Sequence, residues 1–549
     1  MKQTSIAKAI TLLPQQKAVV DWVTLGQGSL ELVARAGCGK TFTLMEIVKV
    51  IVANKLGDVA LMAFNKSIAT ELSEKLERLG IKWPAAEAGT VHSFGFRAWR
   101  KVAPSVQINE DKVRNIIETM YEQSYNPILL HCRGAIAKFV GLAKQTGFGI
   151  PRQGYAPVDD KSAWLEIWEH HVLEDDVANV IDEDGNRILV NFYDIVDIAI
   201  KVYNRSLQLC RDVIDFNDMI LAPLVFRARF FKKPWILVDE SQDTNATRRA
   251  LALEMLAPGG RMVFVGDDRQ AIYGFTGADS DAMSILKKEL DATTLPLNVT
   301  MRCPKKVVEL AKTLVPDFTA HADAPEGIVR TLGDYSDLLN QNLGPEDVII
   351  CRNTSPLLKT AFLLLGKGIA CQVEGRDIGE ALVKLAGRWK AKDLAAYLDK
   401  LQEYQEREVK KLVDRKKEIL ADRLNDQLEC LRIIVAQCQA ENKHNVEDLV
   451  ARIKSMFGER DSRRPTLMLS TIHKSKGREW KRVFALGRHE LLPSPFCKQP
   501  WQQDQEANLE YVLMTRAQHE FIDVPAPPKD DKKLVEEKPA KKTTKKVKA

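Results

Sequence analysis

Residues Leu30 to Thr41 read Leu-Glu-Leu-Val-Ala-Arg-Ala-Gly-Cys-Gly-Lys-Thr, and Trp235 to Asp243 read Trp-Ile-Leu-Val-Asp-Glu-Ser-Gln-Asp. In the first stretch a short apolar run, Leu30 to Val33, leads straight into a glycine-bearing loop. Residues Phe42 to Val52 then alternate with helical spacing. Strand, loop and helix in this order form the context a phosphate-binding loop needs. Gly37 and Gly39 permit the sharp turn that aims backbone N–H groups at phosphate oxygens, with Ala36 and Cys38 completing the cradle. Lys40 is placed to reach the β- and γ-phosphates, and Thr41 to offer a hydroxyl to Mg2+. The following helix adds its positive N-terminal end. In the second stretch Asp239 closes an apolar strand and suits the metal, while Glu240 beside it suits the general base for water. Alone, each half is ambiguous. Ala34 stands where the common loop pattern has its first glycine, and Asp239-Glu240 could be only a polar turn. Together they point to hydrolysis of ATP.

Working outward, Val59 to Phe64 is a second apolar strand, followed by a helix over Ile68 to Leu79. Trp235 to Val238 and Met262 to Val265 are two more strands of buried type. Short apolar runs alternating with helices imply a parallel, doubly wound sheet. The stretch from about Arg97 to Arg211 lacks that rhythm and reads as helices inserted into this first domain. Strand rhythm returns with Asp347 to Cys351, Ala370 to Val373, Leu467 to Ser470 and Arg482 to Leu486. A second α/β domain is therefore expected, interrupted by a charged helical stretch. There Leu412, Ile419, Leu424, Leu428 and Leu431 recur roughly at helical spacing. A helical hairpin fits this spacing better than a dimerising coiled coil, because the heptads are irregular.

With 549 residues, the chain is long enough for three or four domains. Hydrophobic residues make up 45%, enough for large cores, yet no apolar run is long enough to cross a membrane. Met1 to Ile10 is charged and lacks the apolar stretch of a secretory signal. None of the nine cysteines forms a Cys-x-x-Cys pair, so zinc and iron–sulfur sites are not expected and a reducing cytosol fits. The net charge of +6 permits a polyanionic partner. The tail after Pro525 is rich in Lys and Pro, and is expected to be disordered. It is either a solubilising end or a non-specific nucleic-acid tether.

A third segment, Val265-Gly-Asp-Asp-Arg-Gln-Ala-Ile-Tyr-Gly-Phe-Thr-Gly-Ala278, also follows a strand. It can bring Gln270 near a γ-phosphate and offers Tyr273 and Phe275 for stacking on bases. Here the chain resembles the superfamily 1 DNA helicases of the UvrD/Rep type, and further segments agree in order. Leu13-Pro-Gln-Gln-Lys-Ala-Val19 is similar to the Q motif, Ala63-Phe-Asn-Lys66 to motif Ia and Thr90-Val-His-Ser-Phe94 to motif Ib. Asp215-Phe-Asn-Asp218 matches the stretch that precedes the Walker B motif, here Asp239-Glu240, in such helicases. Leu297 to Pro304 resembles motif IV. Ser470-Thr-Ile-His-Lys-Ser-Lys-Gly-Arg-Glu-Trp480 resembles motif V, and Glu506 to Ala517 motif VI. The wording around Gln270 to Phe275 and Glu506 to Val512 is most like the branch that includes the F-box DNA helicases and their phage and bacterial relatives.

The resemblance implies an α/β fold of two RecA-like P-loop domains with helical inserted subdomains. Residues 1–96 and 212–295 would form the first (1A) and 97–211 its insert (1B). Residues 296–386 and 459–524 would form the second (2A), 387–458 a small insert (2B) and 525–549 the tail. ATP and Mg2+ would sit between the two RecA-like domains. Gln16 would read adenine, and Gly477 and Glu479 would face the γ-phosphate and ribose. Lys40, Asp239, Glu240 and Gln270 would act from the first domain, with Thr41 and Asp239 on the metal. Arg302 and Arg516 would come from the second domain as arginine fingers. Phe64, Asn65, His92, Tyr273, Phe275 and His473 would contact DNA. Phe64, His92 and His473 also have plain structural readings, and Trp99, Trp164, Trp168 and Trp389 read as core.

Expected partners are single-stranded DNA and its junctions with duplex, together with a loading or single-strand-binding protein. The expected setting is the cytoplasm of a bacterial or phage-infected cell, or a nucleus in a eukaryote. Two departures stand out. Met301 occupies the place of an aromatic that usually stacks on adenine, and the second insert is much shorter than that of UvrD. The activity implied is 3′-to-5′ translocation and duplex unwinding in replication, recombination or repair. The alternatives are a translocase that strips proteins from single strands with little unwinding, and a non-catalytic DNA-binding module.

Overall fold

The computed structural model describes residues 12–171, 173, 177, 180–181, 187–188, 190–272, 281–389, 391–414, 418–457, 466–495, 497 and 500–528. Tyr273, Phe275 and the basic tail from residue 529 lie outside the described residues. The chain divides into two units: residues 1–303, 311–324 and 414–417, and residues 304–310, 325–413 and 418–549.

In the first unit α1 (Pro14–Leu25) precedes β1 (Leu30–Ala34) and α2 (Lys40–Ala53). Then come β2 (Val59–Ala63), α3 (Lys66–Arg78), β3 (Ala86–Thr90) and α4 (Val91–Val102). The insert contributes α5 (Lys112–Ser124), α6 (Arg133–Thr146), α7 (Lys161–His170) and α8 (Phe192–Gln208). The chain returns through α9 (Asp218–Val225), β4 (Lys233–Val238), α10 (Ala246–Met255), β5 (Leu256–Gly266) and β6 (Thr293–Leu297). The six strands form one parallel sheet in the order β6-β1-β5-β4-β2-β3. All five residues of β2 are buried, as the near-continuous apolar run of a strand covered on both faces requires.

Two expected boundaries fall inside elements. α4 runs unbroken through residues 96 and 97, and β6 runs through 295 and 296. The insert shares the domain's core, since Phe139, Trp164 and Ile195 cluster with Phe94, Ile236 and Phe264. Trp99 and Trp164 are fully buried, as core tryptophans should be.

The second unit contains β7 (Ile328–Thr331), β8 (Asp347–Cys351), α11 (Thr354–Gly366) and β9 (Cys371–Val373). After a helix over Arg376–Ala386 come α12 (Leu394–Asp414), α13 (Glu418–Ala440) and α14 (Val446–Met456). The unit closes with β10 (Leu467–Thr471), α15 (Ile472–Ser475), β11 (Trp480–Leu486), α16 (Pro500–Met514) and β12 (Ala517–Val524). Its six-stranded sheet is also parallel, ordered β7-β12-β11-β8-β10-β9. Two such sheets flanked by helices are consistent with two RecA-like domains. Leu428 and Leu431 of α13 are fully buried in this unit's core beside Leu357, Leu358 and Leu401, so they are spent on packing within the chain. Among the described residues no helix is long and apolar enough to cross a membrane.

Candidate functional site

The phosphate loop turns between β1 and α2 because Gly37 (φ 68°) and Gly39 (φ 78°) are left-handed, where a side chain would be strained. A Cβ on Gly37 would lie 2.5 Å from the Arg302 Cβ and 2.6 Å from the Thr300 hydroxyl oxygen. The Met301 N–H also donates to the Gly37 carbonyl at 2.9 Å. Arg302 therefore stands against the loop and belongs to the first unit, whereas the sequence placed it in the second domain. The reason is local: the chain leaves the edge strand β6 and is held to the loop before it crosses over. Met301, in the position of the stacking aromatic, is exposed. Gln16 is buried, accepts from the Leu13 N–H at 3.0 Å, and its amide nitrogen would lie 3.1 Å from a Cβ on Gly39.

Lys40 begins α2, and its Nζ lies 3.0 Å from a Glu240 carboxylate oxygen. Burial alone would lower the Lys40 pKa, but Glu240, Asp239 and Asp267 together raise it. Asp239 follows β4. Burial, then the neighbouring Glu240 charge, pushes its carboxyl up to about 7 against the opposing pull of Lys40. Glu240 adopts a left-handed backbone (φ 52°), unusual for a residue with a side chain, and its N–H donates to the Asp239 carboxylate at 2.9 Å.

From Glu240 a hydrogen-bonded chain runs across the carboxyl ends of the central strands β4 and β5. Gln242 donates to Glu240 at 2.6 Å and accepts from the Asp267 N–H at 3.1 Å, while Gln270 donates to the Asp267 carboxylate at 2.6 Å. Arg35 anchors this chain with ion pairs to Asp267 (3.1 Å), Asp268 (2.5 Å) and Asp317 (3.0 Å). Reading by motif missed Arg35 and Gln242. Both lay inside the quoted stretches, but only the fold shows what they hold.

A second feature of this unit is a polar cavity of about 150 Å3. It is lined by Phe64, His92, Lys144, Gln145, Asn217, Ile220, Asp243, Asn245, Thr247 and Arg248. Phe64 and His92, far apart in sequence, meet here. The Arg248 guanidinium lies 4.6 Å from the centre of the Phe64 ring. Burial, with Arg248 nearby, lowers the His92 pKa to about 4, so the imidazole is neutral at pH 7. Asn65 instead caps α3, its side chain accepting from the Ile68 N–H at 2.9 Å.

Beneath the cavity lies a buried ionic lattice. Lys144 pairs with Asp215 (2.5 Å) and Asp218 (2.7 Å), and Lys112 with Asp218 (2.6 Å). Burial alone would raise the Asp218 pKa, but Lys144 and Lys112 hold it below the usual carboxylate range. The Asp215-Phe-Asn-Asp218 stretch thus ties α9 to the insert helices α5 and α6. The Thr247 hydroxyl donates to the Lys144 carbonyl at 2.6 Å, tying α10 to the same insert.

In the second unit, the Arg516 guanidinium is fully buried. It donates to the carbonyls of Val512 (2.8 Å) and Arg478 (3.0 Å) and to the Thr515 hydroxyl (3.1 Å). Arg478 directly precedes Glu479, which accepts from Gln518 at 2.8 Å, so motifs V and VI are adjacent here. Gly477 is left-handed at φ 85°. His473 stands on α15. Burial, followed by Arg352, Lys476, Arg423 and Lys474, pushes its pKa down to about 3.

Comparison with known proteins finds two matching families. The UvrD/REP helicase N-terminal domain family matches residues 13–291, and the UvrD-like helicase C-terminal domain family matches residues 198–522. The chain is 23% identical over 320 residues to the ATP-dependent DNA helicase Rep of Escherichia coli, covering 55% of this chain and 43% of Rep. It is 26% identical over 321 residues to a probable DNA helicase II homolog of Rickettsia felis, covering 56% and 44%. It is 25% identical over 304 residues to the ATP-dependent DNA helicase PcrA of Bacillus subtilis, covering 52% and 37%. The matches therefore span less than half the length of these relatives. They do not show the narrower likeness to the F-box DNA helicases.

Proposed function

The chain belongs to the UvrD/REP helicase family, and from that premise we propose that it hydrolyses ATP to move along single-stranded DNA and unwind duplex. The observation that carries the proposal is a shared segment. Glu240 accepts from Gln242 in the phosphate site, while Asp243, Asn245, Thr247 and Arg248, only a few residues on, line the Phe64–His92 cavity. A shift of the Ser241–Asp243 turn on hydrolysis moves both sites at once.

In this reading Lys40 and the N–H groups of Ala36 to Thr41 hold the phosphates, and Gln16 the adenine. Glu240 takes a proton from the attacking water, and Gln270 senses the γ-phosphate. Arg302 and Arg516 stabilise charge on the transferring group, while Gly477 and Glu479 complete the nucleotide contacts. Mg2+ takes one or two protein oxygens when phosphates supply the rest, and the Thr41 hydroxyl and Asp239 carboxylate are hard oxygen donors of that kind. When bound, it neutralises charge on the phosphates. Phe64 and His92 receive a DNA base, with Asn65 and His473 beside the strand.

The movement is assigned 3′-to-5′. Strand displacement on 3′-tailed and 5′-tailed duplexes tests it, and unwinding only from 5′ tails overturns the polarity. ATP turnover compared with single-stranded DNA, duplex and RNA tests the substrate. The second reading, a translocase that clears proteins from single strands, is favoured by the small insert. Its helices α13 and α14 contribute Leu428, Leu431 and Leu449 to the core of their own unit. DNA-stimulated hydrolysis without strand separation would select it. A role in replication, recombination or repair, with a loading or single-strand-binding partner, is part of the same proposal.

A further inference from the structure

Helix α4 carries two neighbouring ridges of side chains away from the cavity. One is His92, Phe96 and Arg100, and the other Arg97 and Lys101, each spaced four residues apart. At the near end, Phe216 meets His92 edge-on with ring centroids 6.4 Å apart. At the far end, Lys101 Nζ lies 3.2 Å from the centre of the Phe231 ring, and the Arg97 guanidinium 5.7 Å from it. A rise of about 1.5 Å per residue separates His92 from Lys101 by roughly 14 Å.

Two features of this face are costly for a free surface. Phe216 and Phe231 are 48% and 55% exposed, although most large apolar rings of the unit are buried. Lys101 has its pKa lowered by burial and by Arg97 and Arg229, so the charges acting on it are both positive. Arg97 is paired with Glu87 at 2.6 Å, whereas Arg100, Lys101 and Arg229 present their charge to solvent. An anion laid over the cations and planar groups laid on the rings would relieve both costs. An acidic protein segment meets only the first requirement. Single-stranded nucleic acid meets both, through phosphates and unstacked bases.

We propose that the face of α4 from Phe216 to Phe231 is a second contact for single-stranded DNA, continuing the track that begins at Phe64 and His92. Arg100, Lys101 and Arg229 take phosphates, and Phe216 and Phe231 take bases. The proposal rests on the cavity being a DNA site, as argued above.

The test is fluorescence anisotropy of the full chain with oligothymidylates of increasing length, alongside the ATP turnover each one stimulates. Wild type should gain affinity with length. Phe231→Ala, and separately Lys101→Glu with Arg229→Glu, should lower affinity for long oligonucleotides about tenfold. They should leave unchanged both the affinity for the shortest oligonucleotide bound and the turnover it stimulates. Variants that bind long oligonucleotides like wild type overturn the second contact and leave the cavity reading intact. Polyglutamate of matched length competing as well as oligothymidylate overturns it in favour of an acidic protein. Wild type that binds no oligonucleotide of any length overturns both readings.

Discussion

The Nζ of Lys40 lies 3.0 Å from the carboxylate of Glu240, 200 residues further along the chain. The cation proposed for phosphate and the carboxylate proposed for water thus form one ion pair. Lys40→Ala should abolish DNA-stimulated ATP turnover and weaken nucleotide binding. Glu240→Gln should keep nucleotide binding and lower kcat by about 10²- to 10⁴-fold. Turnover together with titration of a fluorescent nucleotide separates the two effects, and wild-type turnover by Glu240→Gln would remove that residue from its role.

Phe64 carries the Arg248 guanidinium 4.6 Å from its ring centre, so one ring face already binds a flat cation. Phe64→Ala should weaken single-stranded DNA binding by about 1–3 kcal/mol, and Phe64→Trp should restore most of it. Nucleotide affinity without DNA should not change. Equal DNA binding by Phe64→Ala and wild type would leave Phe64 as packing alone.

Lys144 is fully buried between Asp215 and Asp218. Lys144→Met removes one of the two cations that hold the Asp218 carboxyl below its usual range. Breaking such a buried pair costs about 3–5 kcal/mol. The first unfolding transition in urea should therefore move to markedly lower denaturant. The double variant Lys144→Met, Asp218→Leu should lose less than the two single losses combined, because the groups share one network. Additive losses would show that the lattice is not coupled.

His92 has a folded pKa of about 4, against about 6.5 for a free histidine. Between these values the unfolded chain binds the proton and the folded chain does not, so stability rises with pH across that window. The contribution is complete above about pH 6.5 and is lost as pH falls toward 4. His171, lowered to about 4, and His473, lowered to about 3, act in the same direction. Urea midpoints measured from pH 7 to pH 4 should fall, and His92→Gln should make the fall shallower. An unchanged slope in His92→Gln would place the titration elsewhere.

Much of the fold could be read locally. The strands at Leu30, Val59 and Asp347 and the helix after Gly39 form where the sequence pattern places them, because each depends on a short apolar run and its flanking turn residues. Domain edges were less legible. α4 crosses the expected boundary at residue 97 because Val91 to Val102 keeps its helical periodicity, with Val91, Phe94 and Ala98 in the core that sheet and insert share and Trp99 in a smaller cluster with Cys210, Ile214 and Met219. Arg302, expected in the second domain, stands in the first unit, and no local signal in the sequence marks where the chain leaves that unit.

What the sequence determined by itself was the placement of contiguous residues: the glycine turn, Lys40 and Thr41 at a helix start, and Asp239 and Glu240 after a strand. These need only neighbouring backbone geometry, which a few residues specify. What only the tertiary structure decided was the company those groups keep. Arg35 bridging Asp267 to Asp317, Lys144 locked between Asp215 and Asp218, and the cavity joining Phe64, His92 and Arg248 all unite residues remote in the chain. Such pairings are selected by how whole helices and strands bury their apolar faces, and no short segment encodes that choice.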